Sequence, residues 1–220
     1  MNNKFYKFGI VCGRFGHAHN GHKLLFDLCM NLCDATLVLI GSAQESKTIR
    51  NPFSITTRIN IINQMYPNID NKHFIVHGIN DLTNEYDLTT DWGKYLKNEV
   101  KNIYDQEIDL MVYGNDESRN TWFTPEDLKN TSSLIVPRKS TDISATMIRA
   151  FLVTDNKLEW EKNTPISIHK MYNDIRSEIM EVTIYKAIYD KIHKNHSIDE
   201  FMKIYKYYEN EDKKLKIQNN

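Results

Sequence analysis

Short apolar segments alternate with segments of helical periodicity along the first two thirds of the chain. The apolar segments are bounded by glycine or polar residues, as is typical of buried strands. They cover residues 5–12, 35–41, 74–76, 110–113 and 134–136, and helical spacing lies between them at 21–33, 54–65, 91–104 and 124–128. Parallel neighbours in a sheet need such crossover helices, which then cover both faces. The alternation therefore predicts an α/β fold with a doubly wound, mostly parallel five-stranded sheet.

The last third of the chain has a different composition. After residue 154 it is rich in Lys, Glu, Tyr and Ile, with apolar residues at helical spacing from 168 to 182 and a further helix from 198 to 208. We therefore divide the chain into a domain over 1–154 that carries the chemistry and a helical C-terminal extension over 155–220. We expect the extension to brace the fold or to form the interface of a homo-oligomer, and residues 209–220 to fray.

The charge balance and the absence of long apolar runs exclude some classes of protein. Lys and Arg number 28 and Asp and Glu 29, for a formal net charge of −1 at pH 7. Nucleic-acid-binding surfaces depend on a basic excess, so we expect no nucleic-acid partner. No apolar run reaches the length of a membrane span, the N-terminus lacks the apolar core of a signal peptide, and the three cysteines are sparse. We expect a reducing, cytoplasmic setting without a membrane.

The sequence GRFGHAHNGH at residues 13–22 follows the first predicted strand directly. Its glycines give a flexible backbone at a strand-to-helix turn, where helix N–H groups and the helix dipole favour an anion. His19 and His22 can donate to phosphate oxygens and become cationic as negative charge develops, although a single histidine would more often be a capping or surface residue. Arg14 serves either as a phosphate clamp or as a donor that stabilises the loop.

A second candidate phosphate segment, ISATMIR at residues 143–149, opens a helical pattern after the fifth predicted strand. Ser144 fits an N-cap, and the backbone N–H groups that follow it stay available to an anion, so the two roles are compatible. Thr146 adds a hydroxyl and Arg149 a guanidinium. Ligands of such sheets lie beyond the C-terminal ends of the strands. We therefore expect the two segments to meet around one nucleoside triphosphate.

With these residues in view, the chain resembles the HxGH nucleotidyltransferase superfamily of Rossmann-like enzymes, which carry HxGH after a first strand and a later ISxT(x)xR-type segment. The matching sequences are HNGH at 19–22 and ISATMIR at 143–149. Residues 41–62 (GSAQESKTIRNPFSITTRINII) are similar to nicotinamide-nucleotide adenylyltransferases of the archaeal and related bacterial type, which carry a GSAQ loop, NPF and an arginine-containing helix. That family opens with GRFxPxHxGH, and here His17 replaces a proline that would stiffen the loop.

The resemblance implies transfer of the adenylyl group of ATP to nicotinamide mononucleotide, which yields NAD and pyrophosphate as a step of NAD biosynthesis. The mononucleotide's 5′-phosphate attacks the α-phosphorus of ATP without a covalent enzyme intermediate. Alignment of the two phosphates and neutralisation of their charge would then carry the catalysis. A Mg²⁺ ion held mainly by phosphates and water is expected. The sequence shows no dedicated protein cage for a metal.

The resemblance also implies a set of residues for ATP. The catalytic residues would be His19, His22 and Arg149, in contact with its phosphates. The wider ATP-binding set would comprise Gly13, Arg14, Phe15, Gly21, Ile143, Ser144 and Thr146.

For the mononucleotide, the resemblance implies Arg50 at the phosphate, with Lys47 as the nearby competitor and solvated loop charges as the alternative for both. Trp92 matches a family tryptophan that stacks on the nicotinamide ring, although its spacing with neighbouring apolar residues also suits a core position. Asn115 or Asp116, after the fourth predicted strand, suits a hydrogen bond to the ribose or carboxamide, and equally an ordinary turn.

Two other functions fit the same motifs. One is a nucleotidyltransferase of this fold that acts on a different phosphorylated acceptor, against which the GSAQ and NPF segments argue. The other is a non-catalytic nucleotide sensor that uses residues 155–220 to contact a partner, against which intact His19, His22 and Arg149 argue. Residues 155–220 contain neither a P-loop lysine motif nor a carboxylate-rich hydrolase helix, so we expect no second catalytic domain there.

Overall fold

The protein is described by a computed structural model over residues 4–70, 72–83, 89–115, 119–137, 143–192 and 197–218. The chain divides into two compact units. We call Met1–Gly13, Gly21–Ser42 and Asn68–Asp142 the sheet unit, and Arg14–Asn20, Ala43–Pro67 and Ile143–Asn220 the helical unit. The two units are defined by which parts of the chain pack together. The boundary at residue 154 concerns where the chemistry lies and stays a prediction.

The described part of the sheet unit contains a five-stranded parallel sheet. Its strands are β1 (Tyr6–Gly13), β2 (Cys33–Ile40), β3 (Phe74–Gly78), β4 (Leu110–Gly114) and β5 (Ser132–Val136), in the order β3-β2-β1-β4-β5. The order reverses between β1 and β4, which is the topological switch point at which such sheets bind ligands. The predicted fold class is confirmed.

Helices α1 (Asn20–Leu32) and α3 (Asp91–Tyr104) cover opposite faces of this sheet. On one face, Phe8 and Ile10 of β1 belong to a buried apolar cluster with Leu96 and Val100 of α3. Side chains alternate between the faces of a strand, so Gly9 lies on the other face, where Cys29 of α1 packs directly against it and leaves no room for a Cβ. The sheet is therefore doubly wound, and Cys29 is a core residue.

The helical unit contributes mainly helices. They are α2 (Ile55–Met65), α4 (Ala145–Val153), α5 (Lys157–Lys162), α6 (Tyr172–Met180), α7 (Thr183–Ile192) and α8 (Ile198–Gln218), with a 3₁₀ helix at Ile166–Met171. The predicted helical spacing over 168–182 is divided among the 3₁₀ helix, α6 and a break at Val182, whose N–H bonds the Ile179 carbonyl at 3.1 Å. The apolar face is nonetheless as predicted, since Ile168, Ile175 and Ile179 are buried.

Two sequence-based expectations were wrong. Residues 124–128 form turns instead of a helix, because Thr124 and Asp127 bond each other's backbone N–H groups at 3.2 and 3.1 Å and close a single turn. The tail is helical through Gln218 and does not begin to fray at 209. It consists largely of good helix formers, and Lys216 lies 3.5 Å from both Asp212 and Glu45.

Candidate active site

In the sheet unit, candidate site residues lie at the ends of the two strands that flank the switch point. Gly13 is the last residue of β1, and its carbonyl accepts a hydrogen bond from Gly41 N–H at 3.0 Å. Asn115 directly follows β4 and is exposed, and its backbone N–H donates to the Val136 carbonyl at 3.0 Å. Adjacent parallel strands bring both positions to one edge of the sheet, as expected. Asp116 lies outside the described residues.

The opening loop, residues 14–19, leads from β1 into α1 and belongs to the helical unit. Phe15 is buried and has a φ of 45°, a conformation that non-glycine residues adopt mainly where the surroundings enforce it. Asn20 begins α1, and its backbone N–H and side-chain amide donate to the carbonyls of Asn163 and Lys162 at 3.0 and 3.2 Å. The end of α5 therefore holds Asn20 within the helical unit.

The two histidines of the HNGH sequence lie on either side of this helix start. His19 immediately precedes α1 and is buried, with 4% of its surface exposed. Gly21 is the second residue of α1, and His22, the third, is partly buried. Their roles toward phosphate stay predictions.

Helix α4 begins as the sequence predicts. Ser144 is its N-cap, and the hydroxyl accepts a hydrogen bond from Met147 N–H at 3.2 Å. Ile143 precedes the cap and is buried. Among the described residues, no acceptor bonds the N–H groups of Ala145 and Thr146. The start of α4 is thus capped at one N–H group and leaves two others for an anion.

Arg149, one turn into α4, is a buried cation whose partners are hydroxyl groups. Only 4% of its surface is exposed, and Nη2 donates to Thr146 Oγ1 at 3.0 Å and to the Tyr205 hydroxyl at 2.8 Å. Among the described residues, its Nε has no acceptor and no carboxylate pairs with it. Burying a guanidinium is costly unless an anion neutralises it. Arg149 therefore has the chemistry of a site for an anionic ligand.

The opening loop and α4 meet within the helical unit, as predicted for the two phosphate segments. A Cβ at Gly16 would lie 3.4 Å from Nη1 of Arg149 and 3.0 Å from the carbonyl oxygen of Arg50, so a larger side chain would be crowded there. Segments that are far apart in the sequence thus converge at the guanidinium.

His17, which replaces the family's proline, is a structural residue. It is fully buried, its Nδ1 lies 2.6 Å from the Ala18 carbonyl, and its Nε2 accepts from Trp160 Nε1–H at 3.3 Å. This pattern fits the neutral imidazole with its proton on Nδ1. Burial lowers the pKa of His17 to about 4, and the charge of Arg149 contributes in the same direction. A hydrogen bond to Trp160 in the C-terminal helices thus fixes the loop.

Sequence reasoning missed several residues that organise this region. Arg58 of α2 is fully buried and donates to the backbone carbonyls of Arg14 and Glu45, both at 3.2 Å. It thereby ties the opening loop to the loop that follows β2. The detectable signal was an arginine on the apolar face of a predicted helix. Trp160, Tyr185 and Tyr205 gave no signal, because their contacts depend on the tertiary arrangement.

The residues predicted for the mononucleotide have other contacts in this structure. Arg50 is partly buried, with Nε 3.8 Å from Glu209 Oε1. Lys47, its competitor, is exposed at a φ of 57°. Trp92 donates from Nε1 to Thr83 Oγ1 at 3.1 Å, and its ring centroid lies 5.6 Å from that of Trp122. These contacts leave the assigned roles as predictions.

The described part of the chain shows neither a cluster of metal ligands nor a membrane-spanning helix. No group of three or more His, Cys, Asp or Glu side chains in this part of the chain could hold a metal ion. No described helix is both long and apolar enough to cross a membrane.

Known proteins resemble this chain over most of its length. The nicotinamide-nucleotide adenylyltransferase of Thermococcus kodakarensis is 25% identical over 173 residues, which cover 77% of this chain and 84% of the relative. The protein of the same name from Sulfurisphaera tokodaii is 25% identical over 171 residues, which cover 76% of this chain and 90% of the relative.

A solved structure shares the fold. The bifunctional NMN adenylyltransferase/ADP ribose pyrophosphatase of Francisella tularensis, complexed with AMP and a manganese ion, matches with a TM-score of 0.64 and 18% identity. The match covers 86% of this chain and 54% of that protein, so this chain spans about half the length of the bifunctional protein. At this identity the likeness shows the fold alone.

The family match covers the elements described above. A model of the cytidylyltransferase-like family matches residues 10–151, from within β1 through the opening loop to the α4 segment that carries Arg149. On this match over more than half of its length, the chain belongs to the cytidylyltransferase-like family.

Proposed function

We propose that this protein transfers the adenylyl group of ATP to nicotinamide mononucleotide, forming NAD and pyrophosphate. The observation that carries the proposal is the buried guanidinium of Arg149, which has hydroxyl partners and an Nε without an acceptor among the described residues. A polyphosphate supplies the anion that such a site requires. The names of the relatives from Thermococcus and Sulfurisphaera support this choice of donor and acceptor.

The reaction needs little covalent chemistry from the protein. A phosphate oxygen of the mononucleotide attacks the α-phosphorus of ATP, the bond from that phosphorus to the β-phosphate oxygen breaks, and pyrophosphate leaves with the electron pair. Arg149 and the start of α4 bind and neutralise phosphate oxygens as charge moves to the leaving group. His19 and His22 donate hydrogen bonds to the same polyanion. The backbone around the polyphosphate would be shaped by Gly13, Arg14, Phe15, Gly21 and Ile143.

A divalent cation accompanies ATP in this proposal, and we infer that it is Mg²⁺. Mg²⁺ usually keeps several waters and is bound through substrate phosphates, and we expect the same here. Its chemistry would be to neutralise the triphosphate. Arg149 and the histidines would bind phosphate oxygens of the same triphosphate.

For the acceptor, Arg50 would bind the mononucleotide phosphate, Trp92 would stack on the nicotinamide ring, and Asn115 would hydrogen-bond its polar groups.

Catalysis would reside in residues 1–154, in the cytoplasm, and assembly through 155–220 stays a prediction. The nearest alternative, a nucleotidyltransferase with another phosphorylated acceptor, shares the ATP chemistry, and the GSAQ and NPF segments argue against it.

The deciding experiment combines the purified full chain, Mg²⁺, ATP and either nicotinamide or nicotinate mononucleotide. We expect release of pyrophosphate together with a dinucleotide that mass spectrometry identifies. Pyrophosphate release only with other phosphorylated acceptors would favour the alternative enzyme, and ATP binding without release would favour the sensor.

The variant His22→Ala tests the assigned machinery. We expect turnover to fall about 100-fold or more, because one preorganised donor to the transferring phosphate is lost. The matched control is His77→Ala, at an exposed position of β3. Circular dichroism should show both variants folded, and unchanged turnover in His22→Ala would exclude the role of His22.

A further inference from the structure

Helix α8 places a tyrosine against the candidate phosphate arginine from outside the family match. Tyr205 lies beyond residues 10–151, yet only 3% of its surface is exposed. Its ring centroid lies 5.8 Å from that of Phe201 in a stacked arrangement, and Arg149 Cζ lies 5.5 Å from the Tyr205 ring. The C-terminal extension therefore reaches the guanidinium directly.

The contacts of the Tyr205 hydroxyl determine where it accepts and where it donates a hydrogen bond. Its oxygen accepts from Arg149 Nη2 at 2.8 Å, so its one proton is left for Glu209 Oε1 at 3.3 Å or the Ile49 carbonyl at 3.5 Å. The Ile49 carbonyl already accepts from the Tyr185 hydroxyl at 2.6 Å. Burial raises the pKa of Tyr185, which keeps that phenol protonated as a donor. Glu209 Oε1 is the nearer acceptor and a carboxylate, so we assign the Tyr205 proton to Glu209.

These hydrogen bonds determine which N–H groups of the Arg149 guanidinium are left for an anion. Thr146 Oγ1 and the Tyr205 hydroxyl take up both N–H groups of Arg149 Nη2. Nε is left without an acceptor among the described residues, and Nη1 is directed toward Gly16 of the opening loop. An arginine held at two points loses less conformational entropy when it binds a phosphate.

The same contacts extend to the second candidate arginine. Glu209, four residues after Tyr205 on α8, accepts from the Tyr205 hydroxyl and lies 3.8 Å from Arg50 Nε. We propose that Tyr205 is a positioning residue that orients Arg149 toward a nucleoside triphosphate and, through Glu209, links this orientation to Arg50. The identity of the ligands rests on the proposed function.

The test measures ATP affinity by calorimetry in the presence of Mg²⁺, and turnover in parallel. Tyr205→Phe removes one oxygen and keeps the ring stacked on Phe201. We expect the Kd for ATP to rise about fivefold and kcat to fall about tenfold, the size of effect typical of one lost hydrogen bond. The matched control is Tyr208→Phe, which removes a hydroxyl of the same helix that accepts from Lys191 at 2.8 Å. It should change each quantity less than twofold.

A double variant separates positioning from general stability. If Tyr205 acts through Arg149, then adding Tyr205→Phe to Arg149→Met should change the ATP affinity less than twofold further. A further fivefold loss, or an unchanged Kd in Tyr205→Phe alone, would overturn the proposal. If the wild-type protein binds ATP but forms no dinucleotide, the proposed function fails while the affinity series still decides the role of Tyr205.

Discussion

The starts of helices α2 and α4 have closely similar local sequences and very different surroundings. Each begins after a serine N-cap, and the cap hydroxyls of Ser54 and Ser144 accept from the N–H three residues on at 3.1 and 3.2 Å. Each helix then buries an arginine, Arg58 in α2 and Arg149 in α4. Local sequence thus produces the same cap and a buried cation twice.

The difference lies in what satisfies each helix start. At α2, Glu178 of α6 accepts from Ser54 N–H at 3.0 Å and Thr57 Oγ1–H at 2.7 Å, and Arg58 donates to two backbone carbonyls. At α4, no carboxylate among the described residues takes that place, and Arg149 donates to hydroxyls. The comparison indicates that Glu178 completes the first helix start with a carboxylate, whereas the described residues offer Arg149 only hydroxyls at the second, where we propose that a phosphate binds.

The largest expected effect follows from replacing Arg149 with methionine. We expect adenylyl transfer to fall about 1000-fold, because the charge that neutralises phosphate oxygens is lost. The free energy of unfolding without ligand should not decrease, since methionine removes a buried cation that lacks an anion. Turnover assays and urea unfolding measure the two quantities. A stability loss with intact turnover would show that Arg149 is structural, as Arg58 is, and would remove the contrast.

Most of the sheet could be predicted from sequence, because its signals are local. Apolar runs and glycine boundaries located the five strands, and Ser54 and Ser144 occur at N-caps as their local sequences indicate. The turns at 124–128 were missed because Thr124 and Asp127 begin a helix-like cap that nothing downstream propagates. The long C-terminal helix was underestimated because part of its support, the pairing of Lys216 with Glu45, joins residues far apart in sequence.

The second prediction uses His17 as a reporter of the charge at α4. The pKa of His17 is about 4 in the folded protein and 6.5 as the reference for the unfolded chain. Unfolding therefore takes up a proton between these values. The contribution of His17 to the free energy of unfolding is complete above pH 6.5. As the pH falls toward 4, the free energy of unfolding decreases by about 3 kcal/mol. Urea unfolding at several pH values measures it.

His17→Gln should remove this part of the pH dependence, because an amide does not titrate while its oxygen can still accept from Trp160. His77→Gln, at an exposed position of β3, is the matched control and should leave the dependence unchanged. The charge of Arg149 helps to lower the pKa of His17. Arg149→Met should therefore raise this pKa toward 6.5 and reduce the stability that is lost between pH 6.5 and 4. An equal pH dependence in His17→Gln and wild type would contradict the buried, neutral imidazole.

The candidate site was only partly predictable, for a physical reason. Arg149 and Ser144 were found because their sequence pattern is local to one helix. Tyr205 accepts from Arg149 of α4 at 2.8 Å, and Trp160 donates to His17 of the opening loop at 3.3 Å, in each case across more than 50 positions of sequence. No periodicity or spacing reports such contacts. Their roles follow from tertiary packing alone.

The smallest expected effect completes the comparison at α2. Arg58→Met should lower the free energy of unfolding by about 2 kcal/mol, because the backbone carbonyls of Arg14 and Glu45 lose a buried charged donor. Turnover should fall less than in Arg149→Met. The loops that contain Arg14 and Glu45 would loosen, but Arg149, the proposed phosphate-binding cation, would remain. Arg176→Met, which removes a partly exposed arginine paired with Asp155 at 3.0 Å, is a control of the same residue type and should cost less, about 1 kcal/mol or under. If Arg58→Met retained full stability and lost turnover as completely as Arg149→Met, both helix starts would serve the ligand, and the distinction between them would be wrong.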